Sequence, residues 1–151
     1  MFASMIRRVA VAAVLAIALT TALAAERVNA DRTGLAVKGY DVVAYFVDGR
    51  PVAGLPAFEH ELDGVRYRFA SAANRDRFVQ EPRRYLPQYG GFCAWAVSRG
   101  YTADTDPLAW RIVDGRLFLN YDRSVQRTWE GDVRGNVAKG DANWPSLRDR
   151  R

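Results

Sequence analysis

The chain has 151 residues, 49% of them hydrophobic and 12% aromatic, which is enough for one globular domain with its own core. Its single cysteine excludes an intrachain disulfide, and a formal net charge of +5 suits solubility, an acidic partner or anionic lipid. The sequence contains no serine elbow, phosphate-cradling glycine loop or paired-acid motif, so hydrolase and transferase activities have no support.

The chain begins with the pattern of a secretory signal peptide, predicted for residues 1–25. Arg7 and Arg8 precede an apolar run, and small residues follow near the predicted cleavage at Ala24 or Ala25. An uncleaved membrane anchor is the alternative, although the run falls short of the ~20 residues that a spanning helix needs. We therefore expect a periplasmic or secreted monomer that meets no nucleic acid and keeps no stable membrane span after cleavage.

The first half of the mature chain predicts a short helical turn, a β-hairpin and a helix. Asp41 can cap the turn, and Asp63-Gly64 supplies the positive φ angles that a two-residue hairpin loop requires. Ser71 predicts the N-cap of the helix. The predicted segments are an extended N-terminal stretch (26–38), two strands (58–62 and 65–69) and the helix (72–80).

The second half repeats this plan around a second Asp-Gly loop, Asp114-Gly115. Aligning the two hairpin glycines pairs Tyr67 with Phe118 and Phe78 with Trp129. We therefore predict a small single-domain α+β fold of two β-hairpin-plus-helix units, with short antiparallel sheet packed by helices. The predicted segments are two strands (110–113 and 116–120), a helix (124–130), the domain as a whole (39–147) and a disordered basic tail (148–151).

Two stretches carry a resemblance to a known family: GYDVVAYFVDGRPVAG (39–54) and YRFASAANRDRFVQEPRRYLPQYG (67–90). Together with the segments around them, they closely resemble the exported bacterial YHS-domain proteins, over nearly all of the mature chain. The second stretch looks like the YHS module itself, which is also found beside copper-transporting ATPases and in some multicomponent hydroxylases. The resemblance implies an accessory or binding role.

The resemblance also implies a metal site that this sequence does not keep. The broader family is suspected of binding metal through two cysteines, and the matching positions here are Ala70 and Asn74. Alanine offers no ligand, and a neutral amide is a poor substitute for thiolate toward copper or zinc. Full-length proteins of this type include described selenoproteins, and the resemblance implies that Cys93 marks the selenocysteine position.

Cys93 has two opposed interpretations from its surroundings. Gly90-Gly91 predicts a tight turn into a short helix, with Cys93 in its first turn, where unpaired amides would favour a thiolate. The alternative is a buried small hydrophobic residue, which free cysteine often is. A thioredoxin-like cycle would need a partner thiol, because the chain has no second cysteine.

The only histidine, His60, falls on the apolar face of the first strand, where packing is the commoner role. Its functional alternative is a base or co-ligand to Cys93 in a copper or zinc site. The mature chain can supply one thiolate, one imidazole and carboxylates, which is a thin ligand set for a dedicated copper site.

A ligand pocket near Cys93 is the remaining prediction for a site. Aromatic residues surround the glycine turn in sequence, and a pocket walled by them would suit a flat or apolar ligand. The candidate residues are Gly90, Gly91, Phe92, Cys93, Trp95, Tyr45, Tyr89 and Tyr101.

Three functions follow as hypotheses. The first is a periplasmic YHS-type accessory module without intrinsic catalysis, which binds a metal, a small ligand or a periplasmic protein partner. The second is a thiol-dependent oxidoreductase or peroxide-reactive protein that uses Cys93 with an external resolving thiol. The third is a structural protein whose basic face docks on an acidic surface.

Overall fold

Two β-hairpins, each followed by a helix, form the frame of the molecule. The computed structural model describes residues 27–150, so the predicted signal peptide, residues 1–25, lies outside the described part. The elements in order are α1 (Ala44–Val47), β1 (Leu55–Leu62), β2 (Val65–Phe69), α2 (Ala72–Gln80), α3 (Pro82–Tyr85), α4 (Ala94–Ser98), β3 (Asp106–Val113), β4 (Arg116–Asn120), α5 (Arg123–Glu130) and α6 (Val133–Arg148), with 3-10 helices at Val37–Gly39 and Gln88–Gly91. The predicted α+β class is confirmed.

The first hairpin pairs β1 with β2 in antiparallel register. Tyr67 and Phe69 point into the core, whereas Arg66 and Arg68 lie on the opposite face and both bond Glu59. Successive side chains of β2 thus alternate between a buried face and a face toward solvent. The predicted hairpin is confirmed, and β1 begins three residues earlier than predicted because Leu55 pairs with Phe69 across an irregularity in the register.

The second hairpin repeats the first, including its irregularity. β3 and β4 pair antiparallel, and the register shifts between Asp106 and Trp110, as it does between Leu55 and Glu59 in the first hairpin. The predicted aromatic pairs occupy matching places, since Phe78 and Trp129 are both fully buried. We call residues 37–80 the first unit and residues 89–130 the second unit.

Two buried clusters form the core, and the first of them also includes Leu117 and Leu119 of the second unit. In the first, Phe78 lies 5.0 Å from both Tyr67 and Phe69, ring centre to ring centre. In the second, Phe118 lies 5.2 Å from Trp129. Burial of such large apolar side chains is the main source of stability in a chain without a disulfide.

The N-terminal stretch and the last helix close over the two units. The described part of the predicted extended segment holds a turn and bonds the first hairpin, with the Ala36 N–H donating to the Arg66 carbonyl at 2.9 Å. α6 continues to Arg148, into the predicted tail, and buries Leu147 in the second cluster. No helix within residues 27–150 is long and apolar enough to cross a membrane.

Candidate functional site

A tight turn at residues 89–91 precedes Cys93 in the chain. Tyr89, Gly90 and Gly91 all have positive φ, at 58°, 61° and 78°. Gly90 is required here, because a Cβ atom at this position would collide with the carbonyl oxygen of Arg27. The Asn29 N–H donates to the Gly90 carbonyl at 2.8 Å, so the N-terminal stretch holds the turn from outside.

Cys93 is the N-cap residue of α4, one position before the first turn in which the sequence placed it. Its carbonyl accepts from the Val97 N–H at 3.0 Å, and its own N–H donates to the Ala103 carbonyl at 3.0 Å. Its thiol lies 3.6 Å from Oδ1 of Asn120, the last residue of β4. The same oxygen accepts from the Trp95 N–H at 3.0 Å, so Asn120 ties β4 to the start of α4.

The Cys93 thiol is 1% exposed, and its burial sets its acidity. Burial is the largest influence and raises the pKa of the thiol above its ordinary value. The backbone amides of Ala96, Tyr121 and Trp95 lower the pKa, but they do not offset the loss of water. Cys93 is therefore a neutral thiol at neutral pH, and the thiolate predicted for a first helical turn is not favoured.

The predicted pocket residues fall into different parts of the molecule. Tyr45 belongs to the core of the first unit, where its hydroxyl donates to the Pro107 carbonyl at 2.7 Å. Tyr89 and Phe92 pack in the second cluster against Trp144 of α6.

The other two aromatic candidates lie nearer the surface. The guanidinium of Arg99 stacks on the half-buried Trp95 ring at 4.0 Å. Tyr101 is 51% exposed. The aromatic candidates therefore belong to two different cores and to the surface. Tyr89 and Phe92, at the glycine turn, are packed in the core and do not line an open pocket.

His60 lies against Phe78, with 6.1 Å between ring centres, on the apolar side of the first hairpin. Cys93 lies in the second unit against Asn120. Within residues 27–150, no group of three or more His, Cys, Asp or Glu side chains is placed to hold a metal ion. A copper or zinc site at Cys93 and His60 would thus need ligands that these surroundings do not supply.

Ala70 and Asn74, where the resemblance would place metal-binding cysteines, both donate hydrogen bonds. The Ala70 N–H and the Asn74 side-chain amide both donate to Oδ2 of Asp41, each at 2.8 Å. Asp41 is buried, and its Oδ2 atom is occupied by these two N–H groups. These residues do not fit a thiolate metal site.

Two residues of this arrangement, Asp41 and Asn120, matter more than the sequence suggested. Both are fully buried polar residues: Asp41 accepts from the start of α1, and Asn120, at the end of β4, accepts from the start of α4. One signal could have found Asp41, since Gly39-Tyr40-Asp41 and Gly91-Phe92-Cys93 repeat a glycine, an aromatic residue and a small polar residue. The repeat places Asp41 and Cys93 at equivalent positions.

Two surface depressions lie away from Cys93. One, of about 190 Å³, is lined by Gly100, Asn143 and Leu147, among others, between the end of α4 and α6. The other, of about 410 Å³, lies along residues 80–84. Neither is lined by the thiol.

Comparisons with protein-family models, with curated proteins and with solved structures find no match for this chain.

Proposed function

We propose that this chain is an exported YHS-type accessory module that acts by binding and has no catalysis of its own. The observation that carries the proposal is the state of Cys93. The thiol is 1% exposed, is held against Asn120 and has a pKa raised by burial. A nucleophilic cysteine needs the opposite, namely access to solvent and a lowered pKa.

The competing function, a thiol-dependent oxidoreductase, has less support from the same observation. Such an enzyme would have to expose Cys93 in each turnover and then resolve the product with an external thiol, because the chain holds no second cysteine. A packed, neutral thiol favours a structural place for Cys93 within a binding module.

The binding surface we propose lies around the second unit. Tyr101 and Tyr121 are 51% and 57% exposed, and both belong to loops fixed to the Cys93 region. The Tyr101 N–H donates to the Ala96 carbonyl of α4 at 3.2 Å, and the Tyr121 amide lies beside the Cys93 sulfur. Exposed tyrosines on a rigid support are well suited to a protein partner or a flat small ligand.

Thiol reactivity in the folded protein tests this proposal. The reaction of Cys93 with an aromatic disulfide reagent would be followed against pH, with Cys93→Ser as the blank. We expect the folded protein to react far more slowly than the unfolded chain at every pH, without a reactive thiolate at neutral pH. Reaction of the folded protein with an apparent pKa below ~8.5, the ordinary cysteine value, would support the oxidoreductase instead.

A metal titration tests whether the proposed binding role includes a metal ion held by Cys93. Copper(I) and zinc would be titrated separately into the wild type and into Cys93→Ser. We expect no tight, stoichiometric binding that depends on Cys93, because Ala70 and Asn74 present donors to Asp41 and not metal ligands. Micromolar binding to the wild type that the variant loses would establish a metal role for the thiol.

Export is proposed from the pattern of residues 1–25. The described contacts begin at Arg27, whose guanidinium lies 5.0 Å over the Phe92 ring, just beyond the predicted cleavage. N-terminal sequencing of the protein from a periplasmic fraction would check this, with the mature chain expected to begin after Ala24 or Ala25. Retention of Met1 in that fraction would contradict cleavage.

A further inference from the structure

The two units hold equivalent amide pockets, and these differ in what they enclose. In the first unit, Oδ1 of Asp41 accepts from the N–H groups of Val43 and Ala44, at 2.8 and 3.2 Å. Its Oδ2 accepts from the Ala70 N–H and from Asn74 Nδ2, both at 2.8 Å. Four donors from three segments of the chain thus converge on one buried anion.

In the second unit, amides from the equivalent places lie around a sulfur atom, and one of them, the Trp95 N–H, donates to Oδ1 of Asn120. Three backbone amides lie beside the Cys93 sulfur. Two belong to Trp95 and Ala96, which follow Cys93 by two and three residues, and the third belongs to Tyr121, directly after β4. The first unit uses the same places, since Val43 and Ala44 follow Asp41 by the same spacing and Ala70 directly follows β2. A neutral thiol is a weak acceptor for such a set.

A second observation at this pocket is independent of the cysteine. Asn120 is fully buried, its carboxamide lies against the sulfur, and its Nδ2 has no hydrogen-bond partner. A buried donor without an acceptor is uncommon in native structures. In the first unit, the side-chain amide of Asn74 donates to the second carboxylate oxygen of Asp41. The second unit therefore has an unused side-chain donor on the residue that contacts the sulfur.

We propose that Cys93 is an oxidation site whose sulfinate form is held by this pocket as the carboxylate of Asp41 is held in the first unit. The chemistry takes two equivalents of a hydroperoxide such as hydrogen peroxide. In the first step the sulfur attacks one peroxide oxygen, the O–O bond breaks, and thiol plus peroxide give sulfenic acid plus water. In the second step sulfenic acid and a second peroxide give sulfinic acid plus water, and the acid loses its proton.

The oxidised side chain reproduces the shape and charge of aspartate. A sulfinate carries two oxygens and one negative charge on a single methylene, as Asp41 does. One oxygen then accepts from Trp95 and Ala96, which releases Oδ1 of Asn120 from its present bond to the Trp95 N–H. The freed carboxamide can turn its Nδ2 to the second oxygen, and the Tyr121 amide completes the set.

The reaction proceeds by local opening, because the closed structure leaves 1% of Cys93 exposed. α4 has only five residues, but Ala94, Ala96 and Val97 are buried, so this opening is infrequent. A disulfide within the chain cannot intercept the sulfenic acid, since there is no second cysteine. The modification is slow and stoichiometric, and it does not depend on the binding function proposed above.

Peroxide treatment of the mature protein, followed by intact mass and peptide mapping, tests the oxidation. Both methionines, Met1 and Met5, lie in the predicted signal peptide, so Cys93 is the main oxidisable side chain of the mature protein. We expect a gain of two oxygen atoms at Cys93, with an unfolding midpoint no lower than that of the reduced protein. No gain under conditions that fully oxidise a free cysteine would overturn the proposal.

Cys93→Asp tests the pocket without any oxidation step. We expect it to fold and to melt about 3 °C or more above Cys93→Ala, the order of shift that one good buried interaction gives in a domain of this size. Val97→Asp is the matched control, because Val97 is a fully buried residue of the same helix. We expect that control to unfold. A Cys93→Asp protein that is less stable than Cys93→Ala, or that does not fold, would show that the pocket does not hold an anion.

Discussion

Asp41 is the buried carboxylate on which three segments of the first unit converge. It accepts from α1, from the residue after β2 and from Asn74 of α2. A buried charge is tolerated only when it is fully hydrogen-bonded, and this one is. The role predicted from sequence, a cap for a short helical turn, is confirmed, and the structure adds the link to α2.

Asp41→Asn is predicted to destabilise the protein by about 2–3 kcal/mol, the range for hydrogen bonds to a charged group. The variant keeps the size of the side chain but turns an amide donor toward N–H groups that are donors themselves. Urea unfolding followed by circular dichroism measures the change. Asp48→Asn, at an exposed aspartate just after α1, is the control and should leave the midpoint unchanged.

At Cys93 the sequence left two interpretations, and burial decides which of them describes the reduced thiol. The turn and the short helix were predictable from Gly90-Gly91, whereas Cys93 is the N-cap and not a residue of the first turn. The raised pKa was not, because it depends on the packing of β4 and the following residue over the sulfur. Local sequence indicates where a helix starts but not how much water remains there.

At the scale of elements, α6 is the helix that closes the second unit. It packs on the glycine turn through Tyr89, whose hydroxyl donates to Oδ1 of Asp141 at 2.9 Å. Arg116 of β4 binds the same carboxylate with two nitrogens, at 2.6 and 3.0 Å. One aspartate thus ties α6 both to the turn and to the second hairpin.

Gly140→Ala is predicted to destabilise the protein, although alanine is the better helix former by about 1 kcal/mol. A Cβ atom at Gly140 would lie 2.5 Å from the Tyr89 hydroxyl oxygen and 2.7 Å from its ring carbon Cζ. Because Tyr89 is buried and held at both ends, overpacking should cost about 1–3 kcal/mol. A thermal melt checks the sign, and a rise in the midpoint would mean that α6 does not sit on Tyr89 in this way.

The Asp141 ion pair predicts a dependence of stability on acid. Hydrogen bonding to Arg116 lowers the pKa of Asp141 below its ordinary value. Its contribution is therefore complete above about pH 4, the pKa of an unfolded aspartate, and is lost as the pH falls through the lower folded pKa. Asp141→Asn should flatten this part of the unfolding profile between pH 5 and pH 2, whereas an unchanged profile would place the acid sensitivity elsewhere.

At the scale of the whole molecule, the two units are fastened across their interface by aromatic side chains. Tyr45 of the first unit donates to Pro107 of the second, and its ring lies 5.2 Å from Trp110. Burial also raises the pKa of Tyr45, Tyr67 and Tyr89. Above about pH 10, where an unfolded tyrosine ionises, these three phenols stay protonated only while the core is closed.

The protein is predicted to unfold cooperatively in alkali. Burial raises the pKa of Tyr67 to about 12. Its contribution to stability is complete below about pH 10, where an unfolded tyrosine ionises, and is lost as the pH rises toward the folded pKa. Tyrosinate absorbance should therefore appear together with loss of circular dichroism. Tyr67→Phe should move that transition to higher pH, and the prediction fails if the transition stays in place.

The sequence by itself determined the hairpins, the helices after them and their repetition. Asp-Gly loops, strand alternation and N-caps are local signals, so Asp63-Gly64, Asp114-Gly115 and the helix at Ala72–Gln80 could be identified without long-range contacts. The tertiary structure alone decided the chemistry at Cys93 and Asp41. Contacts between segments far apart in the chain bury both side chains. They raise the pKa of the Cys93 thiol and provide hydrogen-bond donors for the buried Asp41 carboxylate.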